Sequence, residues 1–471
     1  MTRTKIIATL GPAVDTYSKI RQLIKAGVDA ARLNMSHGVY ADHQRQIKYV
    51  RQAAREGQSP VPIIIDLQGP RIRVGKLPKE GRELKRGEVV QIHFGEEECH
   101  DKSFIPISSE LQHRLNKGNR ILIHDGLVEL KVRAVTANQV TVIVTRGGMI
   151  FTHKGVNIPN VPVSGPVITA KDKKDLRFAC QQKAEWIALS FVGTADDIHD
   201  LRRQLQKIKN GAAINIMAKI ERPEAVKNID AIIAAADGIM VARGDLGVEM
   251  TQPKVPVVQK QIIAKCMAAA KPVLVATQML DSMIVSAIPT RAEVSDVANA
   301  VFDHTDAVML SGETAFGRYP LPAVRMMRQI IHEAEKSPFD DVDRIIFQGK
   351  KYDPYKAVAQ SAFDLVAETK AKAIIVLSRH GISARMVARH RPETPIVVMV
   401  SDEVICRQLN IVWGITAYKV PVKNNLDKLV QQAIELAKKH KLVKRGDRVV
   451  IVTGQPVGKA KHANMVEVYE I

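Results

Sequence analysis

The stretch "INIMAKIERPEAV", residues 214 to 226, alternates apolar residues with a lysine and a carboxylate. In a strand, Ile214, Ile216, Ala218 and Ile220 share one face, and Met217, Lys219 and Glu221 share the other. Buried charges without partners cost several kcal/mol, so a chain that ends a greasy strand in Lys219 and Glu221 needs a reason. The same polar i, i+2 spacing recurs where other strand-like runs end: Arg32, Asn34 and Ser36 in "ARLNMSHG", Asp66 after "VPIII", Arg243 and Asp245 in "GIMVARGD", Thr277 in "VLVATQML", and Ser311 and Glu313 in "AVMLSGET". Any one pair reads equally well as a buried ion pair or a helix cap. Repeated around one rim, they describe a pocket with carboxylates for a metal, cations for an anionic substrate and hydroxyls for orientation. Glu221 and Asp245 are hard oxygen donors with no cysteine or histidine cluster beside them, which suits Mg²⁺ or Mn²⁺ completed by water and substrate oxygens. With Lys219 facing the same space, the set fits phosphoryl transfer, where charge spread over the migrating group must be neutralised from several sides.

Other candidates read better as structure. Glu293 follows Thr290, and Asp172 follows Thr169, at the spacing of a capping box. His43 and His199 read as core or solvated residues. His37 stands apart because it lies directly after Arg32, Asn34 and Ser36.

The elements that must position these residues alternate from the start. Three strand–helix units run to Asp66, and five more follow Thr169. Eight such units with strands apolar on both faces predict a closed (β/α)8 barrel of the TIM type. Between Gly69 and Pro166 the pattern changes to short β runs such as "VVQIHF", "RILIHDG", "LVELKVRAV" and "QVTVIVT". That predicts an inserted all-β domain whose exits are "QGP" (68–70) and "PVSGP" (162–166). From about Pro338, "AIIVLS", "IVVMV", "ITAYKV", "RVVIVTG" and "VEVYEI" alternate with helices, predicting an open-sheet α/β domain. The expected fold class is therefore α/β, divided as barrel 1–69 and 168–340, β-barrel lid 70–167 and C-terminal domain 341–471.

Composition narrows the function. At 471 residues, 46% hydrophobic and 25% charged, the chain is an ordinary soluble protein of two or three domains. Its four cysteines (Cys99, Cys180, Cys266, Cys406) form no CxxC pair and read as reduced thiols of a cytoplasmic protein. No apolar run reaches the ~18 residues that a membrane span requires. The net charge of +20 raises nucleic-acid binding, but the basic residues are spread along the chain and aromatics are only 4%, too few for a stacking platform.

"ARLNMSHG", "DLQGPRIRVG", "MAKIERPEAV", "GIMVARGDLGVE", "ATQMLDSM", "PTRAEVSDVANAV" and "DAVMLSGETAFGRYP" together resemble the pyruvate kinase family, in order and spacing along nearly the whole chain. The resemblance implies Mg²⁺-dependent phosphoryl transfer from phosphoenolpyruvate to ADP. It assigns Lys219 to the transferring phosphoryl group, Glu221 and Asp245 to the divalent metal, and Arg32 and Arg73 to phosphate oxygens. It places backbone N–H groups of Ala242, Arg243 and Gly244, with Thr277, around the substrate carboxylate. Ser311 and Glu313 join Thr277 in proton delivery. Asn34, His37, Arg73 and Lys154 match the nucleotide side. The inserted β domain is expected to close as a lid, and a homotetramer is implied.

Three departures qualify the resemblance. Many members bind K⁺ at positions matching Asn34, Ser36, Asp66 and the backbone of Leu67, beside a glutamate in "GPEIR". That glutamate is Arg71 here, so a guanidinium beside Asp66 is expected to replace K⁺. The lid's "DDG" is His124-Asp125-Gly126. In "LSRHGISAR", which resembles a phosphate-binding effector loop, Ile382 stands where a basic residue is usual. Ser378, His380, Gly381 and Ser383, with Gly454, remain as candidates for a phosphorylated effector. Two readings compete: another Mg²⁺-dependent barrel enzyme acting on a keto acid, and a catalytically silent binding protein, which would have lost Lys219 or its acids.

Overall fold

The computed structural model describes residues 2–107, 111–136, 139–159, 161, 165–341, 354–421, 425–456, 460 and 463–471. Eight parallel strands close into a barrel: β1 (Lys5–Thr9), β2 (Ala30–Asn34), β3 (Ile63–Asp66), β4 (Trp186–Leu189), β5 (Asn215–Ile220), β6 (Gly238–Ala242), β7 (Val273–Ala276) and β8 (Ala307–Leu310). Each pairs with the next in sequence, and β1 closes on β8. The two-residue period divides the strands as expected. Ile216, Ala218 and Ile220 pack outward against the helices. Met217 lies inside the barrel with Ile7, Ile64, Trp186, Met240 and Met309. Lys219 therefore continues the interior face of β5, towards the C-terminal mouth where such barrels hold their sites.

The helices begin where capping residues stand. Thr169 caps Ala170–Gln181 and Thr290 caps Arg291–Phe302, each in a full capping box with Asp172 or Glu293. Asp172 also accepts the backbone N–H of Gly69 at 3.2 Å, which ties the start of the insertion to the barrel. The run "PEAVKNIDAIIAAA" (223–236), which reads as one helix, is two pieces, Pro223–Lys227 and Ile229–Ala235. Asn228 leaves helical geometry at the joint, and its side chain donates to the Gly193 carbonyl at 2.9 Å.

Several strands are shorter than the apolar runs suggest. β6 ends at Ala242, and Arg243–Glu249 is already helix; β8 ends at Leu310, and Gly312–Ala315 is helix. β7 stops at Ala276 because Thr277 and Gln278 turn to φ of 71° and 54°. Alternation therefore does not extend through Arg243 and Asp245 or through Ser311 and Glu313.

The inserted residues form a six-stranded sheet and a separate two-stranded ribbon, Arg82–Leu84 with Gly148–Ile150, around their own apolar core. Among the described residues the expected lid barrel is not closed by hydrogen bonds. The ribbon splits from the sheet, and register shifts at Glu129/Leu130 and Val132/Ala134 bend the longest strand pair. Of the exit "PVSGP", residues 162–164 lie outside the described residues, as do 342–353 at the start of the expected third domain. The C-terminal region is an open five-stranded sheet whose last strand, Met465–Glu470, runs antiparallel.

That C-terminal region plugs the far end of the barrel. Ile411 is buried in the interior cluster between the strands. Around it, Asn410 donates to the Asp29 carbonyl (2.9 Å), the Trp413 N–H to Asp306 (2.9 Å), and the Gly414 N–H to the Arg3 carbonyl (3.0 Å). Arg391–Asp306 (3.2 Å) and Arg407–Glu185 (2.6 Å) are ion pairs across the same boundary. Removing the Ile411 side chain opens a cavity that the strands cannot close. Ile411→Ala is expected to lower stability by ~2–5 kcal/mol and Ile411→Val by ~0.5–1.5 kcal/mol, read as a shift of the urea midpoint. Equal midpoints for all three proteins would refute the plug.

Candidate active site

Lys219 sits at the centre of the barrel mouth, nearly buried, with one hydrogen-bond partner and two ion-pair partners. Its Nζ lies 2.7 Å from Glu221 Oε1, 2.7 Å from Ser190 Oγ and 3.2 Å from Asp66 Oδ1. Asp66 in turn is gripped by Arg32, whose Nε and Nη2 reach Oδ2 at 2.7 and 2.6 Å, while Nη1 donates to Thr9 Oγ1 at 2.9 Å. Burial opposes the charge on Lys219, but Asp66 and Glu221 outweigh it and hold the amine above its ordinary pKa. Burial likewise pushes Asp66 up, and Lys219 and Arg32 outweigh it, so its carboxyl lies below the ordinary value of 3.8.

Glu221 is the less comfortable acid. Burial raises its pKa first, Lys219 opposes the rise and the nearby Asp245 carboxylate adds to it; its Oε2 accepts the Phe191 N–H at 2.7 Å. Two neighbouring carboxylates on one cavity wall, mutually repelling and served by oxygen chemistry alone, fit a hard dication. Among the described residues there is no group of three or more such ligands. Two carboxylates are a donor set that could hold Mg²⁺, which takes one or two and completes its shell with water and substrate oxygens.

A cavity of about 730 Å³ opens over these groups. Arg32, Asn34, Ser36, His37, Leu67, Arg71, Lys219, Glu221, Asp245, Thr277 and Ser311 all line it. Asn34 Oδ1 accepts the Ser36 N–H at 3.1 Å. Burial, then Arg73, Arg71 and Arg32, lower the pKa of His37. Thr277 spans the mouth: its hydroxyl accepts the Gly244 N–H at 2.7 Å and donates to the Ala276 carbonyl at 2.6 Å. Ser311 Oγ is buried without a hydrogen-bond partner among the described residues.

Four expected placements change. Arg71 does not lie beside Asp66. Its Nη2 is 3.9 Å from both Asp245 and the inserted domain's Asp125, while Asp66 is already paired with Arg32 and Lys219. The Arg243 side chain leaves the pocket for Asp296 (2.6 Å) and the Thr277 carbonyl (2.9 Å), because helix geometry turns it away from Asp245. Ala242 precedes that helix, none of Ala242, Arg243 and Gly244 lines the cavity, and the Gly244 N–H is taken by Thr277. Glu313 is a strut: its two oxygens accept the N–H groups of Leu280 (3.0 Å) and Ser311 (2.7 Å), and burial raises its pKa. Arg73 and Lys154 do not line the cavity; Arg73 Nη1 donates to the His153 carbonyl at 2.9 Å, and the Lys154 carbonyl accepts from Val74.

The effector candidates have separate partners among the described residues. Ser378 Oγ accepts the Gly381 N–H (3.0 Å), Ser383 Oγ accepts the Ala463 N–H (3.1 Å), and His380 is exposed. A small cavity there is lined by Ser383 among apolar residues, without Ser378, His380, Gly381 or Gly454.

Three contributors escaped the sequence reading: Thr9, Ser190 and the Phe191 N–H. Thr9 ends β1 and Ser190 follows β4, so the strand-end rule applied to those two strands would have found both. Phe191 gives no such signal, since its role rests on a backbone turned to φ 60°.

Residues 1–324 match the family described as "Pyruvate kinase, barrel domain", and residues 356–469 match "Pyruvate kinase, alpha/beta domain". The chain is 41% identical to a pyruvate kinase of Geobacillus stearothermophilus over 473 residues, covering 100% of this chain and 80% of that one. It is 40% identical to a pyruvate kinase of Clostridium acetobutylicum, covering 99% of each. It superposes on a pyruvate kinase crystal structure from Cryptosporidium parvum with a TM-score of 0.93 at 35% identity, covering 100% and 96%. The chain belongs to the pyruvate kinase family. It is a phosphotransferase enzyme, and the pyruvate kinase likeness runs through both the barrel and the C-terminal sheet.

The Asp66 pairings predict an acid-sensitive site. A carboxyl whose folded pKa is depressed contributes its full stabilisation above its ordinary value of 3.8 and loses it as pH falls below that through the folded pKa. Asp66→Asn is expected to cost ~3–5 kcal/mol at neutral pH. The gap to wild type narrows below about pH 4, as the wild-type carboxyl itself protonates. Chemical unfolding at a series of pH values checks both; a gap independent of pH would contradict it.

Proposed function

We propose that this enzyme transfers the phosphoryl group of phosphoenolpyruvate to ADP, giving pyruvate and ATP, in the cavity at the barrel mouth. One observation carries the reading: Lys219, Arg32, Glu221 and Asp245 converge on a single space large enough for substrate. A dication held by Glu221 and Asp245 supplies positive charge to the oxygens of the migrating group. Lys219 supplies a second positive charge from the interior face, and Arg32 a third across Asp66. Lys219, Arg32 and Glu221 are buried, so each acts more strongly than in solvent and needs little reorganisation during transfer. Backbone N–H groups of 242–244 and Thr277 are assigned to the carboxylate of the substrate. Thr277 and Ser311 face the carbon that takes up a proton, with Glu313 acting by fixing the Ser311 loop. Asn34 and His37 form the nucleotide side, and Arg73 and Lys154 join them when the inserted domain, residues 70–167, closes and excludes water. Asn157 on that domain already donates to Glu249 at 2.9 Å, and Arg222 to the Val161 carbonyl at 3.1 Å.

The reading includes independence from K⁺, on different grounds from a guanidinium beside Asp66. Three of the four groups matching the K⁺ ligands already have internal partners: Asp66 holds Arg32 and Lys219, the Leu67 carbonyl accepts Ser190, and Asn34 accepts the Ser36 N–H. From family likeness we add a cytoplasmic homotetramer controlled by a phosphorylated effector at the C-terminal domain, 341–471.

Two assays test this. With phosphoenolpyruvate, ADP and Mg²⁺, Lys219→Met is expected to lower kcat by about 100- to 1,000-fold with a smaller change in KM, since this charge acts mainly in the transition state. Near-normal turnover would refute the assignment. In K⁺-free buffer with a large organic cation, wild-type enzyme is expected to keep most of its activity; loss of most of it would refute K⁺ independence.

A further inference from the structure

The ammonium of Lys219 has three partners, and they differ in what else they must do. Glu221 is one of the two acids assigned to the dication. Asp66 is held by Arg32 on its other oxygen. Ser190 is neutral, 2% exposed, and has no second role in charge balance. It follows β4 directly, and Leu189 lies opposite Ala218 in the β4–β5 register, so the next pair across the strands is Ser190 with Lys219. On the other side β4 pairs with β3, which leads into Leu67.

The hydroxyl has a fixed polarity. It donates to the Leu67 carbonyl at 2.7 Å, so its lone pairs are left to face the amine, from which it accepts at 2.7 Å. A hydroxyl committed in this way cannot rotate to donate elsewhere without giving up the carbonyl. The next residue completes the arrangement: Phe191, at φ 60°, donates its N–H to Glu221 Oε2 at 2.7 Å. One short turn thus fixes both the amine and the acid beside it. Gly69 presses on that turn, since a Cβ there would meet the Phe191 ring at 2.7 Å and Ser190 Cβ at 3.1 Å.

We propose that Ser190 is a positioning residue for phosphoryl transfer. When a dication draws on Glu221 and a phosphoryl group draws on the ammonium, the resting contact between Lys219 and Glu221 is in competition. The Ser190 contact is not. It holds Nζ at one place on the cavity wall while the other N–H groups change partners, so that positive charge stands where the migrating group needs it. Without the hydroxyl, the four-carbon stem lets the amine follow whichever carboxylate attracts it most. Ser190 also borders the cavity, but the role assigned to it runs through Lys219, so the proposal rests on the reading of Lys219 given above.

The test compares wild type, Ser190→Ala, Ser190→Thr and Lys219→Met in the full-length enzyme. Four quantities are read: kcat, KM for phosphoenolpyruvate, Mn²⁺ affinity by electron paramagnetic resonance without substrates, and melting temperature. Ser190→Ala is expected to lower kcat by about 10- to 100-fold, the scale of one charge-assisted hydrogen bond, with KM, Mn²⁺ affinity and melting temperature close to wild type. Ser190→Thr keeps the hydroxyl and is expected to recover most of the loss. A kcat within two-fold of wild type in Ser190→Ala overturns the proposal. So does a fall in kcat matched by lost Mn²⁺ binding or a lower melting temperature, because that marks a structural role. If Lys219→Met is itself near-normal, the reading of Lys219 fails instead, and that result is distinct from either outcome at Ser190.

Discussion

A single carboxylate, that of Asp66, lets two cations share the dry mouth of this barrel. Arg32 and Lys219 would repel one another across a low-dielectric gap, and neither would survive burial alone. Asp66 divides its two oxygens between them, Oδ2 to the guanidinium and Oδ1 to the amine. Thr9 and Ser190 then absorb the donors left over. Much of the active-site geometry follows from that division. The amine is turned towards Glu221, Glu221 is left with its second oxygen on the Phe191 N–H, and the pair of acids at 221 and 245 remains short of positive charge.

The rest of the molecule protects that arrangement at both ends of the barrel. At the mouth, the inserted domain reaches down through Asn157 and Arg71, and Asp172 pins the Gly69 backbone where the insertion leaves the barrel. At the far end, Ile411 fills the interior beneath Met217 and Trp186, and the buried ion pairs of Asp306 and Glu185 hold the C-terminal sheet in place. The barrel interior is thus packed from below and charged above. Its apolar layers exclude water from beneath the polar layer, which is the condition under which fixed charges act most strongly.

Arg71 shows how position in sequence and position in space part company. It follows Asp66 by five residues, yet the backbone turns at Gly69 (φ 67°) and carries its guanidinium to the opposite acid, Asp245, and to Asp125. A cation placed there sits between the barrel and the inserted domain. Asp66 does not call on it, because Arg32 and Lys219 already occupy both of its oxygens.

The amino-acid sequence by itself determined the architecture and the chemical types. Strand periodicity is two, so "NIMAKI" had to send Met217 and Lys219 inward together, and eight repeats of strand and helix had to bury their strands on both faces. Capping at Thr169 and Thr290 is local and was legible for the same reason. Only tertiary structure decided which partner each charge took. Where strands gave way to helix at Arg243 and Gly312, the two-residue rule lapsed: Arg243 turned to Asp296, and Glu313 became a strut for Leu280 and Ser311. The Ser190 contact, the Phe191 N–H and the Ile411 plug join groups from different strands or domains. Such contacts depend on register, backbone torsion and domain docking, which residue types and spacing along one strand do not encode.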